Sequence, residues 1–422
     1  MLWIAFAVVH VGIAVLGFVL PNDPMGDLHN VYDPWSREAL DGRWVDGRLV
    51  SPWIVGIHEK WVYPQLALVP MVLAQLLAWI ANYAVAWAIV VTVADAVAFG
   101  ILIGTGRSTG RTVAAWFWLA FLTVLGPIAM YRVDAFTVPL GILGSLWLVR
   151  RPWLGSALLA VATWIKVWPA AILAAAVIAV RRRLAVVGAA AAVSAFVALA
   201  VVTAGGAPNL FGFIDDQAGR GLQIEAPVSA YYMWLASAGE PGAWVYYDPD
   251  MLTFQVTGPN VDPLIAAMTP VLVLAVAAVA ALGAIKAWRG ASFVSLFPAL
   301  SLALVLAFIV FNKVGSPQYY AWLAVPLVVG LVLNRAAWWR ISTLALAVAA
   351  LTQVVYPILY RGLMIVPSPL FDAVLVLTLR NVGAVALFVW ALVLLIRVRA
   401  PGRHRARPRA AAAEGAAPAD HP

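Results

Sequence analysis

The residues of this chain best suited to chemistry are few, and they sit at the ends of apolar runs rather than in polar domains. Gly26-Asp27-Leu28-His29-Asn30-Val31-Tyr32 follows an apolar opening of twenty residues. A carboxylate there can serve as a base toward a hydroxyl or cap the next helix. His58-Glu59-Lys60-Trp61-Val62-Tyr63-Pro64-Gln65 heads the second apolar run, where its aromatics suit either a site at a membrane surface or ordinary interface anchoring. In Trp164-Ile165-Lys166-Val167-Trp168-Pro169 a lysine stands between two indoles. An ammonium is a point-charge partner for a phosphate and tryptophan faces suit sugars, although a lysine can also snorkel to the interface. The stretch from Asn312 to Trp322 holds Lys313, Ser316, Gln318 and Tyr319 within eleven residues, more than an anchor needs. Finally, Arg220 is the only basic residue of a long acidic segment that also holds Gln223. It is suited to pair with a carboxylate or a phosphate.

The elements that must position these residues are helices in a bilayer. The chain has 422 residues, 64% of them hydrophobic and only 11% charged, with a mean hydropathy of +0.93, far from the balance of soluble domains. The fold class is an all-α integral membrane protein. Apolar runs long enough for the roughly 30 Å hydrocarbon core recur along the length. Basic clusters at 107–111, 150–151, 181–183, 286–289, 335–340 and 397–409 separate them. Read as cytoplasmic topology signals rather than a nucleic-acid footprint, these fit about twelve crossings near 3–20, 82–104, 112–130, 135–149, 153–166, 169–180, 184–203, 263–285, 291–311, 320–334, 341–359 and 373–396. Both termini are then cytoplasmic. Residues 1–20 lack a basic start and a small-residue cleavage site, so they read as a retained helix. The run 61–80 has no crossing to make and reads as a re-entrant or membrane-surface helix on the outer side.

Two outer loops follow, about 21–60 and 204–262, and they hold 14 of the 19 acidic residues. The polar chemistry is therefore expected on the outer side. A domain spanning 1–396 precedes a basic, Ala/Pro-rich tail, 397–422, expected to be disordered and cytoplasmic. There is no cysteine, P-loop or HExxH, so thiol, Walker-type and zincin chemistry are excluded. Asp95 and Arg380 lie inside spans, where each needs a partner or water.

The ordered set Asp27-Leu28-His29-Asn30-Val31-Tyr32, Tyr63-Pro64-Gln65, Lys166 before Pro169, and Ser316-Pro317-Gln318-Tyr319 through Trp322-Leu323 resembles the GT-C membrane glycosyltransferases. Within them it is similar to the actinobacterial polyprenol-phosphate-mannose-dependent mannosyltransferases of glycosyltransferase family 87. Gln65 departs from a Tyr-Pro-Pro-like element, and Asp27-Leu28 stands one residue further from Val31-Tyr32 than in the family pattern, which leaves Asp33 as the reserve for Asp27. The resemblance implies transfer of a hexose, mannose in that family, from a polyprenyl-phosphate donor to a glycolipid or lipoglycan acceptor. It implies inversion, α-1,2 linkage, a site on the outer face of the bacterial cytoplasmic membrane, and neither metal nor other cofactor. Asp27 would be the base. Lys166, Arg220 and Lys313 would hold the donor phosphate, and His29, Tyr32, His58, Tyr63, Trp168, Gln223, Gln318 and Tyr319 would contact substrate. The rival readings are a flippase for a lipid-linked sugar, with Asp95 and Arg380 lining its path, and a transferase of another lipid-linked sugar such as arabinofuranose.

Overall fold

In lipid every backbone amide must be satisfied within its own segment, which for sequences of this hydropathy means helices. The computed structural model describes residues 1–214, 220–249 and 253–399. Its main elements are α1 (Leu2–Val19), α2 (Asp33–Asp41), α3 (Leu68–Leu77), α4 (Tyr83–Ile103), α5 (Thr109–Leu125), α6 (Asp134–Trp147), α7 (Pro152–Ile165), α8 (Pro169–Ala179), α9 (Arg183–Thr203), α10 (Ala230–Ser237), α11 (Val261–Trp288), α12 (Phe293–Val310), α13 (Ala324–Gln353) and α14 (Phe371–Arg397). Asp215, Asp216 and Asp250, and nearly all of the basic tail, lie outside the described residues.

Among the described residues eight helical segments are long and apolar enough to cross a membrane, so the chain is a multi-pass, mainly helical membrane protein. Against an expectation of twelve crossings, the segment Pro317–Ile358, 42 residues long, holds two helical runs rather than one. Ala321 and Ala324 line a small void with Leu125 and Ala129; a Cβ on Gly110, at the other end of α5, would meet the Val332 carbonyl, and one on Gly126 would meet Gln353. The segment thus runs along α5 and back. It turns at Asn334, which leaves helical geometry (φ −154°, ψ 79°) and caps the returning half by accepting from the Ala337 amide at 3.2 Å. By contrast α6, α7 and α8 have 14, 14 and 11 residues, roughly 16 to 21 Å at 1.5 Å per residue. They are shorter than a full crossing, and α6 is the most enclosed of the three, with 11 of its 14 residues buried. The segment Gln65–Ile80 is likewise a short apolar helix, in line with the reading that it is not a full span.

Small residues let α6 and α7 approach closely, as membrane helices require. A Cβ on Gly155 would lie 2.6 Å from the Gly144 carbonyl, and one on Gly144 would lie 2.8 Å from that of Gly155. The contact places Asp134, at the start of α6, beside Lys166, at the end of α7.

The connecting regions depart from the all-α expectation in two places. β1 (Arg43–Val45) pairs with β2 (Arg48–Val50), and β3 (Trp244–Asp248) pairs with β4 (Thr253–Thr257), both antiparallel. The first turn is Asp46-Gly47, with both residues at positive φ (48° and 77°), the conformation that matches strand twist in a two-residue hairpin. The two intramembrane charges singled out from sequence are paired. Asp95 accepts from or donates to His10 at 3.1 Å, and Arg380 donates to Glu225 at 2.8 Å with both side chains fully buried.

Because the Gly144–Gly155 contact sets the α6–α7 spacing, Gly155→Leu should destabilise the protein by about 1–3 kcal/mol, the usual range for overpacking. Thermal unfolding in detergent against Gly12→Leu, where no neighbour lies within 4 Å, measures it; equal melting temperatures would show that the contact is not limiting.

Candidate functional site

A cavity of about 460 Å³ opens where the helix junctions converge. Seven of the residues given a phosphate- or substrate-binding role by the resemblance line it: Tyr63, Lys166, Trp168, Arg220, Lys313, Gln318 and Tyr319. They come from four separate connections, before α3, between α7 and α8, before α10, and between α12 and α13. Its other flank, with Leu272, Phe308 and Phe311, is apolar. The cavity therefore joins a cationic and aromatic wall to a greasy one.

The wall is built on a residue that sequence reasoning passed over. Asp134, 1% exposed at its side chain, accepts from Lys166 Nζ at 3.0 Å and from Trp322 Nε1 at 2.6 Å. Trp322 stacks on Trp168 with centroids 5.3 Å apart and planes 8° from parallel, while Tyr319 stacks on Trp322 at 4.3 Å. Trp168 Nε1 in turn donates to Thr137 on α6. Lys166 also lies 5.0 Å from the centre of the Tyr63 ring, a cation–π contact. Burial alone would lower the Lys166 pKa; the Asp134 carboxylate outweighs it and holds the ammonium above the usual lysine range. Lys166 therefore brings a charge that is already balanced.

Arg220 and Lys313 lie close to one another. Burial first, and the Arg220 guanidinium second, hold the Lys313 ammonium below the usual lysine range, so the two cations feel one another. The Arg220 Nε is buried without a hydrogen-bond partner among the described residues. Their proximity is fixed by backbone contacts. The Gln223 amide donates to the Lys313 carbonyl at 3.1 Å, and Gln223 Oε1 accepts from the Gly315 amide at 2.9 Å. A Cβ on Gly315 would lie 2.4 Å from the backbone at Glu225 and Ala226, so only glycine allows this approach. Arg380 anchors the same loop by donating to both the side chain and the carbonyl of Glu225. Gln223, expected to touch substrate, is thus a residue that joins two loops.

The structure does not bring the remaining sequence candidates to the cavity lining. Asp27 pairs with Arg132 at 3.2 Å, and Arg132 also donates to the Pro24 carbonyl and the Tyr356 hydroxyl. Tyr32 links the two regions: buried, it lies 3.4 Å from the Tyr63 hydroxyl and stacks on Trp87. Burial, then Tyr63 and Asp27, push its phenol well above the ordinary range. Asp33 is engaged by Arg37 in a bidentate pair at 2.6 and 3.0 Å. His58 stacks on Trp53 and bonds the Ile54 backbone, and His29 is exposed. Among the described residues no group of three or more His, Asp or Glu side chains is placed to hold a metal ion. The signal that could have revealed Asp134 and Arg132 was Tyr131-Arg132-Val133-Asp134, two charges at the mouth of an otherwise apolar run.

Compared with protein-family models, curated proteins and solved structures, the chain matches none.

The Asp134–Lys166 pair predicts a specific asymmetry. Asp134→Asn strands the Lys166 charge and should cost about 3–5 kcal/mol, whereas Asp134→Asn with Lys166→Met should recover most of it. Thermal unfolding of the two variants would refute this if the double variant were the less stable.

Proposed function

We propose that the protein transfers a sugar from a polyprenyl-phosphate donor to a glycolipid or lipoglycan acceptor. The observation that carries this reading is the single cavity that combines Arg220 and Lys313 with the Trp168–Trp322–Tyr319 stack and an apolar flank. A lipid-linked phosphosugar has the same three parts. Its phosphate suits two neighbouring cations, which hydrogen-bond oxyanions strongly. Its sugar suits aromatic faces and the Gln318 amide, and its chain suits Leu272, Phe308 and Phe311. Cations placed at the departing phosphate stabilise charge that grows in the transition state, commonly the largest catalytic contribution. The mannosyl donor, inversion and α-1,2 linkage come from the family resemblance, and outer-face placement from both the resemblance and the distribution of basic clusters.

In this reading the acceptor hydroxyl attacks the anomeric carbon, the bond to the phosphate oxygen breaks, and a carboxylate takes the proton. Asp27 holds that role by the resemblance, with Arg132 orienting its carboxylate. The flippase reading needs Asp95 and Arg380 along a path, and both are buried and paired. The transferase reading has the better support.

Two outcomes test it. With polyprenyl-phosphate mannose and extracted envelope glycolipid, Asp27→Asn should slow product formation by about 10²–10⁴, the worth of general-base help, while binding of unsubstituted polyprenyl phosphate persists. Wild-type turnover by this variant would remove Asp27 from the chemistry. The second concerns pH. Lys313 holds phosphate only when charged, so kcat/KM for the donor should fall as pH rises through its lowered pKa. Arg220→Gln removes the like charge and should move that alkaline limb to higher pH, even though donor binding weakens. An unmoved limb in a pH–rate profile would detach Lys313 from donor binding.

A further inference from the structure

A second cavity, of about 470 Å³, adjoins the first and shares Arg220, Lys313 and Thr269 with it. Its lining is otherwise different in kind. Tyr246, Asp248 and Gln255 come from the β3–β4 hairpin, and Asp262, Ile265 and Ala266 come from the first two turns of α11. The first cavity has aromatic rings and an apolar flank; the second has two carboxylates, a phenol and an amide, with a short apolar strip.

These polar groups form a built floor. Gln255, 2% exposed, accepts from the Tyr246 hydroxyl at 2.9 Å and donates to Asp248 Oδ2 at 2.6 Å, so its amide is held from both sides. A Cβ on Gly221 would fall 1.9 Å from Gln255 Oε1, so the chain carrying Arg220 is pressed against this amide. Both carboxylates act on Tyr246: burial, then Asp248 and Asp262, push its phenol above the ordinary range. Asp262 is exposed at the start of α11.

We infer that this second cavity binds the sugar headgroup of the acceptor, with Asp262, Asp248 and the Tyr246–Gln255 pair bonding its hydroxyls and the Ile265–Ala266–Thr269 strip packing against a face of its ring. The chemistry favours a neutral polyol. Carboxylates accept from hydroxyls, a phenol and an amide offer both donors and acceptors, and a second anion is disfavoured by Asp248 and Asp262. The position favours an acceptor. Arg220 and Lys313 stand on the common wall, so a glycoside in the second cavity lies beside the donor held in the first, the juxtaposition that transfer between two substrates needs. Its hydroxyl attacks the anomeric carbon from the side away from the phosphate oxygen that leaves. The inference rests on the transferase reading for the word acceptor and on the second cavity alone for the glycoside.

The full chain in nanodiscs free of glycoside detergent, with octyl α-mannoside as probe, tests both separately. Binding is read by saturation-transfer NMR and transfer by product formation from polyprenyl-phosphate mannose. Asp262→Asn and Gln255→Ala should each weaken octyl mannoside binding and raise its KM about tenfold, the effect of losing one good hydrogen bond, with the donor KM within about twofold of wild type. Asp262→Asn removes only a charge on an exposed residue, so it remains informative if Gln255→Ala unfolds. Wild-type glycoside binding by Asp262→Asn and by a folded Gln255→Ala would overturn the inference even if transfer is intact. Variant-sensitive binding with no product from the wild type would uphold the site and overturn the transferase reading.

Discussion

Asp134 is the residue on which the site depends. A carboxylate buried among helices costs several kcal/mol unless neighbours replace the water it has lost, and here an ammonium and an indole N–H do so. Satisfying that one group draws together the start of α6, the α7–α8 junction and the turn before α13. The aromatic wall follows, because Trp322 cannot donate to Asp134 without lying against Trp168. A second buried acid has the same part in the cationic portion of this wall. Glu225, held by Arg380, pins the loop that brings Arg220 to Lys313. The aromatic and the cationic portions of the wall are thus organised by acids that do not line the cavity.

This arrangement explains how a chain with so little polar content builds a charged site. In a medium of low dielectric an unpaired charge is expensive and a paired one is rigid. The protein uses buried ion pairs for structure, at Asp134 and Glu225, and places two neighbouring cations, Arg220 and Lys313, at the wall between its cavities. Rigid positioning comes from the first group and affinity for an anion from the second.

Much of the architecture is legible from residue type because lipid restricts the choices. Apolar length marks the long helices, and basic clusters mark one set of junctions. Lys166, Arg220, Lys313 and their aromatic neighbours stood out because charge at the end of an apolar run is unusual, and the cavity gathers them. Other features were hidden for physical reasons. Asp134 begins an apolar helix, and its partners lie 32 and 188 residues away, beyond any local pattern. Gln223 looked like a ligand because a side-chain amide bonding backbone cannot be told by type from one bonding a sugar. Helices α6 to α8 read as crossings by hydropathy, and the shortness that sets them apart from the long helices is already visible in the spans 153–166 and 169–180. The β1–β2 hairpin, by contrast, has a local signal in Asp46-Gly47, a pair suited to a two-residue turn. Asp27 shows the limit of context: its partner Arg132 becomes adjacent only when α1 and α6 are assembled.

The two separations at Asp134 also fix an order of events during synthesis. When α6 and α7 have emerged, Lys166 is available and the carboxylate can be neutralised within a helical hairpin. Its second oxygen must wait until Trp322 has been made. The charge pair is therefore a local product of early insertion, while the aromatic wall is completed only when the chain returns alongside α5. A polypeptide interrupted between those points would keep its buried pair without having closed the cavity around it.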